Sequence, residues 1–92
     1  GRGEELYEDS RCYYVTTRFL RMVIKQYGTA YSDTQRIINN EDLIAVLDRK
    51  EALEVVEKDG KRIRSRKLPI QRGNTKRYLY LKKESLEHLD EE

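Results

Sequence analysis

Between Tyr13 and Tyr27 the apolar positions recur at steps of four: Phe19, Val23 and Tyr27, with Leu20 and Ile24 beside them, while Arg18, Arg21 and Lys25 fall elsewhere. That spacing predicts one amphipathic helix, capped at its start by Thr16 or Thr17 and closed by Gly28 in a left-handed conformation. A brief extended piece over residues 29–31 precedes Ser32, whose side chain forms with Gln35 a Ser-x-x-Gln capping box for a short second helix over 33–39. Asn40 reads as the cap of a third helix that opens on Glu41 and Asp42, both favourable at the positive end of a helix dipole. Leu43, Ile44, Val46, Leu47 and Ala52 form its buried side, and it is expected to end near Leu53.

Beyond that point the period changes. Glu54-Val55-Val56-Glu57 is β-prone and runs into Lys58-Asp59-Gly60-Lys61, a strong two-residue hairpin signal. Arg62 to Arg66 then alternates with period two, Pro69 limits that strand to an edge or ends it, and residues 71–75 make the next turn. Alternation resumes from Lys76 to Lys82, with Leu79 and Leu81 on one face and Tyr78 and Tyr80 on the other. Glu84 to Leu89 suits one or two helical turns with Leu86 and Leu89 inward. The expected fold class is therefore α+β: three helices, then a basic β-hairpin or small antiparallel sheet, then a short C-terminal helix.

Composition narrows the picture. With 92 residues, 37% hydrophobic and 39% charged, the chain supports one modest core. One domain is expected over 12–89, between a flexible N-terminal segment, 1–11, and an acidic tail, 90–92. The lone Cys12 excludes an intrachain disulfide and any multi-cysteine zinc site, and reads as a buried or incidental thiol. No apolar run approaches the roughly 20 residues of a membrane span, and no signal-peptide h-region is seen, so an intracellular protein, cytoplasmic or nucleoid-associated, is expected. Catalysis has little to stand on. There is one His, His88, and no glycine-rich phosphate loop; Asp59-Gly60-Lys61 has the acid-x-Lys form of metal nucleases but occupies the expected hairpin turn. Neither enzyme activity, metal nor cofactor is expected.

Charge is the most informative feature. The formal net charge is only +2, yet Lys61 to Lys83 holds ten Lys or Arg and no acid. From about Tyr14 to Lys83 the order of elements resembles the winged helix-turn-helix domain. The nearest local match is Leu43-Ile44-Ala45-Val46-Leu47-Asp48-Arg49-Lys50-Glu51-Ala52-Leu53-Glu54-Val55-Val56-Glu57-Lys58-Asp59-Gly60, similar to the passage from recognition helix into first wing strand. The resemblance implies a DNA-binding protein, a transcriptional regulator or plasmid or viral DNA-organising factor, that grips double-stranded DNA with its wing.

The residues themselves sharpen that expectation. If Arg62, Arg64 and Arg66 share a strand face, their stems start roughly 6.6 Å apart, a spacing suited to a row of phosphates. Lys61, Lys67, Arg72, Asn74, Lys76 and Arg77 extend the basic track, and Gln35, Arg36, Asn39, Asn40 and Arg49 are the helix-side candidates for contacts to bases and backbone. Glu41, Asp42, Asp48 and Glu51 make the third helix net negative. Cys12, Tyr13, Tyr14 and Phe19 offer apolar surface for a homodimer. Alternatives are a module binding an acidic protein partner, and an RNA or single-strand binder using a tyrosine-bearing sheet.

Overall fold

In the computed structural model, which describes residues 5–28, 36–37, 39–68, 76–87 and 89, the Tyr13–Tyr27 pattern splits in two. Cys12–Val15 is a strand, β2, and only Leu20–Tyr27 is α-helix, α1, entered through a 3-10 turn over Thr17–Phe19. Cys-Tyr-Tyr-Val is an aromatic and β-branched run whose alternation also satisfies a strand, with Tyr13 and Val15 on the inner face. A short apolar run fits both periods, and partners decide between them. Those partners are Leu6–Glu8, strand β1, on one side and Tyr78–Lys82, strand β6, on the other, both antiparallel. The segment expected to be flexible thus supplies an edge strand, and the sheet begins before residue 12.

Helix α2 spans Asn40–Arg49. Its cap is Asn39, one residue earlier than expected, whose side chain accepts a hydrogen bond from the Asp42 N–H at 2.8 Å. The helix stops well before Leu53. Glu51 sits at φ 59°, Ala52 N–H donates to Leu47 O at 2.8 Å and Glu51 N–H to Asp48 O at 3.0 Å. This is a Schellman close with glutamate where glycine is usual, sealed by the burial of Leu47 and Ala52. Gly28 ends α1 differently from expectation: its φ of −82° is extended. Glycine is needed for space, since a Cβ there would lie 2.7 Å from Ile24 O.

After α2 come β3 (Val56–Lys58), β4 (Lys61–Ile63), β5 (Ser65–Arg66), β6 and a one-turn helix α3 (Lys83–Leu86). The main sheet has the order β1-β2-β6-β5, and β3-β4 is a separate hairpin. Asp59 at φ 53° and Gly60 at φ 78° close that hairpin with the two successive left-handed residues that the Asp-Gly pair predicts.

The hairpin leaves the body for a definable reason. Leu53 bridges Leu81, Glu54 N–H donates to Tyr80 O, and Lys82 N–H donates to Ala52 O, both at 2.8 Å. Continued in that register, residue 55 would face Leu79; Ser65 stands there instead. Residues 55–64 are therefore looped out of one strand position, and β3 and β4 project with no buried residue.

The inner face of the sheet and the helices share one core, built around Val15, Leu20, Val23, Ile24, Leu43, Leu47, Leu53, Leu79, Leu81, Leu86 and Leu89. A second, smaller cluster lies on the outer face: Leu68, Tyr78 and Tyr80, with Tyr7 and Tyr14 packed against them. The leucine and tyrosine faces of β6 are those its alternation predicts. The whole is α+β, but not three helices followed by a wing: two strands precede α1, and a four-stranded antiparallel sheet is the frame. The helix expected over 33–39, with its capping box, lies outside the described residues. No helix among the described residues is long and apolar enough to cross a membrane.

Candidate nucleic-acid interface

The basic stretch does not form one row. Arg62 belongs to β4, Arg64 to the joint between β4 and β5, and Arg66 to β5. Arg62 donates to Asp48 through Nη2 at 2.6 Å and Nε at 3.3 Å, and Arg64 donates to the same carboxylate through Nε at 2.8 Å. Asp48, expected on the exposed acidic surface of its helix, is buried, with its side chain 7% exposed against 52% for Arg62 and 42% for Arg64. The hydrogen bond from Arg62, followed by that from Arg64, holds the Asp48 carboxyl below the usual carboxylate range against the opposing effect of burial. Arg62 is pushed up in return by Asp48. One buried carboxylate thus ties the looped-out segment to α2 and fixes the stems of two half-exposed guanidiniums.

Arg66 turns the other way, to the outer face of the sheet. Its guanidinium carbon lies 3.9 Å from the centre of the Tyr80 ring, and its Nη2 is 3.4 Å from Glu54 Oε1. Glu54 also pairs with Arg11. Lys76 pairs with Glu5 at 3.2 Å, and Arg77 donates to Ser65 O at 2.5 Å and to its hydroxyl at 3.2 Å. Among the described residues, Lys58, Lys61 and Lys67 are exposed and have no acidic partner. They frame the hairpin and the start of the segment after β5.

The helix-side candidates are mostly committed elsewhere. Asn39 is consumed as a cap, its Nδ2 also reaching Asp42 Oδ2 at 3.0 Å. Asn40 accepts from Arg21 Nε at 3.1 Å and donates to Thr17 O at 3.1 Å, pinning α2 to the entry of α1. Neither amide is presented to a groove. Arg36 and Arg49 are exposed, at a turn and in the last turn of α2. Gln35, Arg72 and Asn74 lie outside the described residues, as does His88.

Sequence reasoning missed a row of aromatics. Tyr7 faces Tyr14 in the β1–β2 register, and Tyr14 faces Tyr80 in the β2–β6 register, so three tyrosines stand side by side across three strands. Tyr14 and Tyr80 meet edge to face at 4.8 Å, and Tyr7 meets Tyr78 likewise at 5.8 Å. The available signal was that Leu6-Tyr7-Glu8 and Cys12-Tyr13-Tyr14-Val15 both alternate, with Tyr7 and Tyr14 in phase.

The Tyr14 hydroxyl donates to Asp9, which pushes its own pKa up to about 12. The same bond, with the backbone N–H groups of Cys12 and Arg11, draws Asp9 down to about 2. Burial pushes the pKa of the Cys12 thiol up, away from the thiolate form. Of the residues on which a homodimer was expected, Cys12 is fully buried, Tyr13 lies against Tyr27 at 4.7 Å and Phe19 packs on the main core, while Tyr14 stands partly exposed in the outer row. Among the described residues, no three metal-ligating side chains stand together. Comparison with protein families, with characterised proteins and with solved structures finds no match for this chain.

Proposed function

We propose that the protein binds nucleic acid through the phosphate backbone, along the basic edge made by the β3–β4 hairpin and β5. The observation that carries this reading is the looped-out hairpin. A ten-residue excursion, 55–64, that buries almost nothing contributes little to the core, and its exposed lysines, Lys58 and Lys61, lack acidic partners among the described residues. Beside them Arg62 and Arg64 are held by Asp48 with part of each guanidinium toward solvent. A fixed guanidinium loses less freedom when it meets a phosphate than a free one does.

Base reading by α2 has no support: its two asparagines are occupied, and its exposed start carries Glu41 and Asp42. Contact is therefore to the backbone and independent of base-edge readout. The test is binding of labelled oligonucleotides across a salt series. Replacing Lys58, Lys61 and Lys67 with Gln should flatten the slope of log affinity against log salt by about 2.7 for a duplex and about 2.1 for a single strand, from about 0.9 and 0.7 per phosphate contact. Thermal stability should not change, since none of the three side chains has an acidic partner among the described residues. Absence of binding to any nucleic acid at about 50 mM salt and micromolar protein overturns the proposal.

A further inference from the structure

We infer that the tyrosine row on the outer face of the sheet is a stacking platform for unpaired bases, and that the nucleic acid bound is a single strand. This rests on the reading of the basic edge above and names its substrate. Tyr7 and Tyr14, both partly exposed, line one open groove of about 630 Å³ together with Leu68, Arg66 and Lys67, with the buried Tyr80 beneath Arg66 as part of its floor. That volume lies within the roughly 300–1,000 Å³ of small-ligand sites. Among the described residues no helix residue packs in the outer cluster; the helices pack in the inner core, where leucine, valine and isoleucine do the filling.

Charge also suits a strand rather than an acidic or apolar partner. Three carboxylates rim the groove, and each is already held. Asp9 takes the Tyr14 hydroxyl and two backbone N–H groups, Glu54 takes Arg11 and Arg66, and Glu8 takes Lys83 at 2.7 Å. Lys67 remains without an acidic partner among the described residues, at the point where the groove meets the basic edge. Arg66 lies on both sides of that boundary, since it follows Arg64 in the chain and covers the Tyr80 ring. A backbone lying along the edge therefore has its bases within reach of aromatic rings. A paired duplex has no base faces to offer such a row, whereas each unpaired base has two.

The experiment compares oligothymidine and oligouridine of about 15 nucleotides with a duplex of equal length and with an abasic strand of equal length, using the whole chain and fluorescence anisotropy. The base-bearing strand should bind roughly five- to a hundredfold more tightly than the abasic one for each base stacked. A gain with either sugar supports the inference. Tyr7→Leu and Tyr14→Leu should each remove a gain of that size while leaving the abasic affinity unchanged, and Tyr14→Phe, which keeps the ring, should retain it. Equal affinity of the wild-type protein for base-bearing and abasic strands overturns the platform and leaves the basic edge standing. Tighter binding of the duplex does the same. Failure to bind any of the four removes both.

Discussion

Replacing Asp48 with asparagine separates the anchoring of the basic edge from its charge. The carboxylate accepts three hydrogen bonds from two arginines, at 2.6, 2.8 and 3.3 Å. A hydrogen bond to a charged group contributes about 1.5–3 kcal/mol when protected from water. Arg62 and Arg64 are about half exposed, so water replaces part of what they lose, and exposed ion pairs contribute only about 0–1 kcal/mol. Asparagine also keeps one acceptor oxygen. The expected loss is about 1.5 kcal/mol, or about 6–12 °C in Tm for a domain of this size, measured by circular dichroism at pH 7.

The pH dependence provides the internal check. Because the folded Asp48 pKa lies below its unfolded value near 3.9, its contribution is complete above that pH and fades as pH falls through the folded value. The gap in Tm between wild type and variant should therefore close toward pH 2. Meanwhile the variant loses a negative charge beside the basic edge, and because asparagine's remaining oxygen still holds part of the two guanidiniums, the charge outweighs the lost anchoring and affinity for a phosphate backbone should rise even as stability falls. A Tm difference that is equally large at pH 7 and pH 2 would refute the reasoning, because the loss would then come from packing and not from the ionised carboxylate.

Other substitutions probe the frame. Glu51→Gly should stabilise the protein by about 0.5–1 kcal/mol, since it relieves a left-handed side chain that costs roughly 1–2 kcal/mol and gives back part of that in unfolded-chain entropy; denaturant unfolding measures it. Tyr14→Phe should raise the titration midpoint of Asp9 from about 2 toward the ordinary aspartate range, read by carboxyl NMR. The folded and unfolded values of Asp9 then lie closer together, so the stability that the wild type loses as pH falls from about 4 toward 2 should be smaller in the variant.

What was legible in the sequence was local. The Asp59-Gly60 turn, the leucine and tyrosine faces of Tyr78–Lys82, the helical stretch after Asn39 and the inward Leu86 and Leu89 each follow from neighbours a few residues apart, whose backbone preferences and side-chain period do not depend on the rest of the chain. The concentration of positive charge was equally plain. What the tertiary structure decided was pairing. Cys12–Val15 is a strand because β1 and β6 lie on either side of it, and its local alternation, which fits helix and strand alike, cannot reveal β6, a partner more than sixty residues away in sequence. Asp48 looks like any acid on a helix surface until Arg62 and Arg64 fold over it. The excursion of residues 55–64 exists only because Leu53 and Ser65 take successive places along the same edge of β6. The tyrosine row, too, requires three strands in one register. Period and propensity report what a residue prefers beside its neighbours; which distant strand or charge it meets is set by the competition of the whole chain for a single core, and the placement of the candidate interface is a product of that competition.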